Sequence, residues 1–350
     1  MTRSLGGAGK CHSDRGVALV MVIWIFMVLT VLVGEFSRAM RDDAVATHNV
    51  AEENQARGVA IAGMNHAIYR ALRAREQPEQ AASGRGAARA STVLGTENGA
   101  GADETEAWAA DGTWHDGSYG GGDYSVRVVD EGGKVGLNRA DEALLRQVLG
   151  ALGLDQDAQE AATDGILDWR DSDSLHRLHG AEAEYYLGLP EPYLPKDGWF
   201  DSVDELLLVR GISRDVFYGV PAAGLRSEDS PAIPLRDVFS VFNRTANINV
   251  RTAPPAVLRV LLGGEERDVE EIVAARDADA GSALTLLRAK LGDQLLARRL
   301  VDTEPIVLAI DARAKMQDGR VEARVGAVLD LGEDGDGFHI VRWFDRLPAL

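Results

Sequence analysis

Cysteine is almost absent from this chain of 350 residues, which contains a single one, Cys11. One cysteine cannot form an intrachain disulfide, so the fold needs another source of stability. Apolar residues make up 45% of the chain. That share is enough for a hydrophobic core, and the length allows two modest folding units or one domain with an insertion.

Basic residues are also scarce, since 37 Lys and Arg stand against 55 Asp and Glu and the net charge is −18. Proteins that bind nucleic acid use clustered Lys and Arg to neutralise phosphates. The charge balance therefore argues against a nucleic-acid partner. Catalytic signatures are missing as well: there is no G-x-S-x-G elbow, no phosphate-binding loop and no Ser-His-Asp order. We therefore expect a protein that is not an enzyme.

A long apolar segment lies near the N-terminus, where residues 16–34 carry no charge. In a helix this segment spans roughly 28 Å, about the thickness of the hydrocarbon core of a bilayer. Arg3, Lys10 and Arg15 precede it against a single Asp14. Because basic flanks stay in the cytoplasm, we expect the N-terminus inside and the rest of the chain outside. No small-residue cleavage site follows the segment, which favours a membrane anchor over a secretory signal peptide.

The position of Arg15 and Gly16, directly before the apolar segment, predicts processing on the cytoplasmic side. A cut at that point would leave the whole apolar span attached to the mature protein. The arrangement resembles a class III signal peptide. The resemblance implies that prepilin peptidase cleaves between Gly16 and Val17, so that residues 1–16 are a leader and Val17 is the first mature residue.

The pattern after the leader predicts one long helix over residues 17–76, a stretch without proline. Such a helix would be about 90 Å long. Its first half is apolar all round and suits lipid or a helical bundle, whereas its second half is amphipathic and suits a globular head. Two helices broken near Gly34 are the alternative. The amphipathic half carries a large apolar stripe (Ile61, Met64, Ile68, Leu72) beside a small-residue stripe (Ala56, Ala60, Gly63, Ala67, Ala71).

The remaining chain predicts an α+β head. Residues 77–140 have the composition of a connector followed by the first strands. Residues 141–245 change to short helices and form the predicted α-helical insertion, which holds 17 acidic and 6 basic residues up to residue 219. Residues 246–350 contain a short strand, further helices and three closing strands, and complete the head.

Carboxylates concentrate in the segment that follows a predicted helix ending near residue 170. Asp171 and Asp173 are two residues apart, and Glu182 and Glu184 follow after a short gap. Carboxylates that converge on a loop repel one another unless a cation joins them, and hard oxygen ligands select Ca²⁺. The spacing is not that of an EF-hand. A calcium site and a solvated acidic loop whose side chains cap helices are both consistent with the sequence.

Two other interpretations compete with these. His176 and His179 have a weak zinc-ligand spacing, and no cysteine is available to complete such a site. Residues 206–214 and 249–262 resemble helix-hairpin-helix elements, which bind DNA backbones in other proteins. The alternative function is therefore a membrane-anchored DNA-binding or DNA-uptake protein, although the acidic charge of the predicted insertion opposes it.

Over nearly its whole length the chain is similar to the protein K family of type II secretion minor pseudopilins. The similarity rests on the order and spacing of RGVAL (15–19), DEGGK (130–134), DWRDSD (168–173), GAE (180–182), FDSVDEL (200–206) and NINVRTAP (247–254).

This resemblance implies a pilin-like long N-terminal α-helix packed on an antiparallel sheet, with a large α-helical insertion. It implies calcium bound at Asp171, Asp173, Glu182 and Glu184. It also implies a complex with the I- and J-class minor pseudopilins at the pseudopilus tip, an inner-membrane anchor with a periplasmic head, and methylation of the mature N-terminus.

Met21 departs from the pilin pattern, because most pilins carry Glu at this position, the fifth of the mature chain. In pilins that Glu neutralises the N-terminal ammonium of a neighbouring subunit, and an unpaired charge inside an apolar bundle is costly. A subunit without it is not easily added behind another. Met21 therefore favours the first position of the filament, as does a bulky insertion that would clash with subunits stacked above.

Overall fold

The structure is a computed structural model of the chain. It describes residues 15–76, 108–152, 154–220, 233–292, 295–317, 319, 321–332 and 337–345. Most of the predicted leader (residues 1–14) and most of the predicted connector (residues 77–107) lie outside the described residues.

Helix α1 (Arg15–Glu76) is a single continuous helix of 62 residues, so the alternative of a break near Gly34 is wrong. The apolar side chains in its first half are exposed, from 38% at Val28 to 67% at Val20. Within the described part of the chain, α1 is the one helix long and apolar enough to cross a membrane. Its length and uncovered apolar surface suit a single-pass anchor.

The chain continues into the hairpin of β1 (Asp111–Tyr119) and β2 (Gly122–Asp130) and then into a helical insertion. Two small parallel ladders join β3 (Val135–Gly136) to β4 (Phe239–Ser240) and β5 (Ile248–Asn249) to β6 (Leu300–Val301). The helices are α2 (Glu142–Ala151), α3 (Gln156–Arg170), α4 (Ala183–Leu187), α5 (Arg214–Tyr218), α6 (Leu235–Val238), α7 (Pro255–Leu261), α8 (Glu266–Ala278), α9 (Ala280–Leu291) and α10 (Leu295–Arg299), with short 3₁₀ turns at Glu131–Gly133 and Val203–Leu208.

The main sheet closes with β7 (Val307–Met316), β8 (Glu322–Asp330) and β9 (His339–Phe344). Its order is β1-β2-β7-β8-β9, and every neighbouring pair is antiparallel. The predicted small-residue stripe of α1 packs on this sheet: Ala56, Ala60 and Ala67 are fully buried. Small side chains let the helix backbone approach the sheet closely, so this half of α1 is part of the head.

The helical insertion is larger than predicted. One hydrophobic core joins α1 to β2, β7 and β8, whereas a second core runs from Val135 to Leu300. The predicted boundaries of 141 and 245 both fall inside this second core, and helices α7 to α10 belong to it rather than to the pilin-like part. Periodicity identified these helices, but it does not reveal which core an amphipathic face joins.

A buried carboxylate joins the sheet to the insertion at the end of β2. Asp130 is 1% exposed. It accepts hydrogen bonds from the Thr252 hydroxyl at 2.6 Å, the Asn249 amide at 2.9 Å and the Gly132 backbone N–H at 2.9 Å. Burial raises the pKa of Asp130, and these donors oppose that shift. Asp130 therefore links the end of β2 to the segment of the insertion that contains Asn249 and Thr252.

Candidate cation site in the helical insertion

Helix α3 positions Asp171, the first acidic residue of the site, at its C-terminal end. Asp155 caps its N-terminus, because its carboxylate accepts from the Ala158 backbone N–H at 2.8 Å. The helix ends at Arg170, and the next residue, Asp171, caps it with a backbone N–H that donates to the Leu167 carbonyl at 3.1 Å. The backbone of Asp171 is already extended, so the chain turns into a loop at this carboxylate.

Two acidic side chains on the buried face of α3 hold the following loop in place. Asp168 accepts from the Arg177 backbone N–H at 3.0 Å, and Asp164 accepts from the His179 backbone N–H at 3.1 Å. Position 180 must be glycine, because a Cβ there would collide with the Asp168 carboxylate. These contacts bend the chain back so that Glu182 returns beside the end of α3.

The structure brings together three of the four predicted ligands. Carboxylate oxygens of Asp171, Asp173 and Glu182 lie within 4.8 Å of one another. Glu182 is buried at 8% exposure, Asp171 is half-buried and Asp173 is exposed. Glu184 is exposed in the first turn of α4 and is not part of this group.

The carboxylates of the cluster are partly buried and repel one another. Burial is the main cause that raises the pKa of Glu182 to about 7. Neighbouring negative charges raise it further, in the order Asp168, Asp171, Asp197 and Asp173. Burial and the neighbouring Asp173 raise the pKa of Asp171. Each shift shows that the ionised form is disfavoured where it stands.

Three buried carboxylate oxygens around the cluster accept no hydrogen bond from the described residues: Asp168 Oδ1, Asp171 Oδ1 and Glu182 Oε1. Buried acceptors without a donor are uncommon and costly. The set consists of hard oxygen donors, as calcium requires, and a divalent cation would satisfy the acceptors and remove the repulsion together. The residues present therefore fit the group that the sequence predicted.

Two further acidic residues, Asp168 and Asp197, act on the cluster through their charges and were not identified from the sequence. Asp168 lies one helical turn before Asp171, so helical spacing could have identified it. Asp197 has φ 50° and is the one described non-glycine residue with positive φ. The Asp197-Gly198 dipeptide is a turn signal, but no sequence signal places that turn beside Glu182.

Aromatic packing joins the two helices on either side of the loop, α3 and α4. The ring of Trp169 lies 5.4 Å from that of Tyr186 and 6.3 Å from that of Phe200. Tyr186 is fully buried, and its hydroxyl accepts from the Arg210 backbone N–H at 3.3 Å. These contacts hold α4 against the end of α3.

The two histidines of the zinc interpretation contact different groups. His179 Nδ1 lies 3.3 Å from a Glu160 carboxylate oxygen, whereas His176 Nδ1 contacts the Arg177 carbonyl at 3.0 Å. Among the described residues, the one cluster with metal-ligand geometry is that of Asp171, Asp173 and Glu182.

The predicted processing residues Gly16 and Val17 lie in the first turn of α1. Cleavage between them remains a prediction. Met21 follows in the exposed apolar half of the helix, with 63% of its surface accessible.

A long helix, apolar in its first half and packed in its second half on an antiparallel sheet, defines a pilin-like α+β protein. Residues 127–220 match the family described as Type II secretion system (T2SS), protein K. A stretch of 82 residues is 43% identical to type II secretion system protein K of Aeromonas hydrophila, and 74 residues are 34% identical to that of Pectobacterium carotovorum subsp. carotovorum. The alignments cover 23% and 21% of this chain, and less than a quarter, 23%, of each relative.

The fold matches a chain in the crystal structure of the GspK-GspI-GspJ complex from the enterotoxigenic Escherichia coli type 2 secretion system. The TM-score is 0.50, with 79% of this chain and 99% of the matched chain covered at 17% identity. This match shows a shared fold. The similarity to the protein K family of the type II secretion system extends over residues 127–220.

Proposed function

We propose that this chain is a minor pseudopilin at the tip of the type II secretion pseudopilus. It assembles with the I- and J-class minor pseudopilins, initiates the filament and supports protein export across the outer membrane. It acts by assembly and not by catalysis. The observation that carries the proposal is the division of α1 into an uncovered apolar half and a half buried on the head.

The uncovered half of α1 serves first as an inner-membrane anchor and then as the stem in a helical bundle. Side chains exposed over several turns need lipid or neighbouring apolar helices, because water does not favour so large an apolar surface. Basic residues precede the stem, so the head lies in the periplasm. Prepilin peptidase removes residues 1–16 before assembly.

The size of the insertion supports the tip position. It occupies the chain between β2 and β7 and has its own hydrophobic core. A unit of this size attached to one end of the pilin-like sheet leaves little room for a subunit stacked above. Met21 supports the same position, since it cannot neutralise a neighbouring N-terminal ammonium.

Calcium is held by Asp171, Asp173 and Glu182 in this proposal. The support is their mutual approach within 4.8 Å, together with the buried oxygens of Asp171 and Glu182 that accept no hydrogen bond from the described residues. The ion would fix the loop between α3 and α4 by cancelling carboxylate repulsion. Glu184, the fourth predicted ligand, instead places its charge in the first turn of α4, where the helix dipole favours it.

Co-purification tests the assembly. The chain is tagged and co-expressed with full-length I- and J-class pseudopilins of the same secretion system, then extracted in detergent. Native mass spectrometry is expected to find one copy of each subunit. Recovery of the tagged chain alone, while the I- and J-class subunits are expressed and soluble in the same detergent, would contradict the proposal.

The DNA-binding alternative remains a prediction of the sequence and is separable by a gel shift. The acidic charge of the insertion predicts no retardation of duplex DNA at moderate salt. Saturable retardation by the full chain would favour the alternative over the pseudopilin role.

A further inference from the structure

A groove of about 190 Å³ lies at the seam between the helical insertion and the main sheet, where it contacts strands β7 and β9. The insertion contributes Arg139, Trp199 and Arg244 to its walls, and the sheet contributes Val307 and Val341. The groove shares no lining residue with the acidic cluster.

The aromatic and cationic walls of this groove are fixed relative to each other. The Arg139 guanidinium lies 4.4 Å from the centre of the Trp199 ring, which is 57% exposed. The preceding residue, Asn138, donates to the Phe200 carbonyl at 2.9 Å and accepts from the Phe200 N–H at 2.8 Å. Because these bonds join the residues adjacent in sequence to Arg139 and Trp199, the stacked pair is pre-organised.

The charge of the groove is opposite to that of the chain. Its charged lining residues, as far as the structure describes them, are both arginines, whereas the chain carries a net charge of −18. Arg244 pairs with Asp330 at 2.9 Å. Arg139 is exposed, and no carboxylate among the described residues pairs with it. A stacked guanidinium with free donors is suited to bidentate binding of a carboxylate.

The strand beside the groove is also uncovered. Within the described residues β9 is the last strand of the sheet, so one of its edges has no strand partner. Its apolar side chains Ile340, Val341 and Trp343 are 53%, 45% and 38% exposed. An unpaired edge with exposed apolar side chains is a surface on which an extended segment can add a strand.

We infer that the groove and β9 together bind an extended, carboxylate-bearing segment of a protein partner. The segment pairs its backbone with the free edge of β9 and covers Ile340 and Trp343 with apolar side chains. One carboxylate enters the groove and bonds to Arg139. This surface is distinct from the cation site and does not depend on the proposed role in secretion.

A peptide fits these features better than other anions. Nucleic acid needs several phosphate contacts, and a groove with two arginines on an acidic chain offers few. A lipid surface would supply charge but no backbone to pair with a strand edge. Only an extended peptide uses the edge, the apolar side chains and the guanidinium together.

Fluorescence anisotropy tests the inference with the full chain in detergent micelles. The probe is a short fluorescent peptide of alternating valine and glutamate. We expect saturable binding that weakens about tenfold when glutamine replaces glutamate in the peptide, or when the chain carries Arg139→Gln. Ile340→Glu is expected to weaken binding as well, because it places a like charge on the exposed edge.

The matched control is Arg313→Gln. Arg313 is an exposed arginine whose guanidinium also lies 4.4 Å from a tryptophan ring, that of Trp114, but away from β9. This variant is expected to bind the peptide like the parent chain. Thermal unfolding of each variant shows whether it remains folded.

Three results would overturn the inference. The first is no saturable binding of the glutamate peptide, and the second is equal binding by the folded Arg139→Gln variant and its parent. The third is displacement of the peptide by duplex DNA or by anionic phosphatidylglycerol vesicles at lower concentration than by unlabelled peptide.

Discussion

The ring of Tyr124 on β2 packs into a notch on α1 that exists because residue 63 is glycine. A Cβ at Gly63 would lie 2.6 Å from Cδ2 of Tyr124. Gly117 of β1 also leaves space for this ring, since a Cβ there would collide with the Tyr124 hydroxyl. That hydroxyl also lies 2.9 Å from His66 Nδ1 of α1. One aromatic side chain thus connects the anchor helix to the hairpin of the head.

Gly63→Ala is expected to destabilise the head by about 1–3 kcal/mol, because the added methyl overpacks a ring that cannot move away. The loss should appear as a lower midpoint in thermal unfolding of the full chain in detergent, followed by circular dichroism.

The control for this substitution is Gly58→Ala on the same helix. Gly58 is exposed and its Cβ would contact nothing within 4 Å. Alanine has the higher helix propensity, so this variant should be unchanged or more stable by up to about 1 kcal/mol. Equal destabilisation by both changes would show that the Tyr124 notch is not the cause.

Calcium is expected to raise the unfolding midpoint, and a chelator to lower it, because a ligand that binds only the native state stabilises that state. At a free concentration of one hundred times Kd the gain is about 2.7 kcal/mol. Glu182→Gln should abolish most of this response, since it removes a charged oxygen ligand. Glu184→Gln should retain it, because Glu184 lies outside the cluster. An unchanged midpoint in chelator would contradict the calcium proposal.

The raised pKa of Glu182 predicts how the metal-free chain responds to pH. A carboxyl whose folded pKa is about 7, above its ordinary 4.5, binds its proton more tightly in the native state. Protonation of Glu182 therefore adds fully to the free energy of unfolding below pH 4.5, and this added stability is lost as the pH rises through 7. The loss should be on the order of 1–3 kcal/mol.

Glu182→Gln separates this effect from other titrations. In chelator at pH 8 the amide variant should unfold at a higher temperature than the parent chain, because it carries no charge among the neighbouring carboxylates. In saturating calcium the order should reverse. The same order under both conditions would contradict the assignment of Glu182 as a strained ligand.

Thr252→Val is expected to destabilise the junction between sheet and insertion by about 1–3 kcal/mol, because the substitution removes a hydrogen bond to the buried Asp130 carboxylate. Thr285→Val is the control, since its hydroxyl bonds a backbone carbonyl on an exposed helix face. The control should change stability by less than about 0.5 kcal/mol. Urea unfolding of both variants measures the difference.

Mass spectrometry of the protein purified from membranes is expected to find N-methylated Val17 as the first residue, since cleavage before the apolar segment retains the stem. The same chain from cells without prepilin peptidase should retain residues 1–16. A membrane form that starts at Met1 in peptidase-containing cells, or beyond residue 34, would contradict the processing prediction.

The local sequence pattern was sufficient to predict several structural features of this protein. The absence of proline and the switch from an apolar to an amphipathic pattern predicted α1, and the structure confirms it as one helix. Period-two alternation predicted the strand that became β2. The short spacing of Asp171 and Asp173 predicted that their carboxylates lie together. These features depend on neighbours a few residues apart, which a sequence displays directly.

The tertiary structure decided the features that depend on contacts between residues far apart in the chain. It assigned helices α7 to α10 to the insertion core, placed Asp197 beside Glu182 and left Glu184 outside the cluster. It also stacked Arg139 on Trp199 and set both beside Val341 of β9. These contacts join residues far apart in the chain. They arise from how amphipathic faces pair in three dimensions, and a linear pattern records that a face is apolar without recording which face it meets.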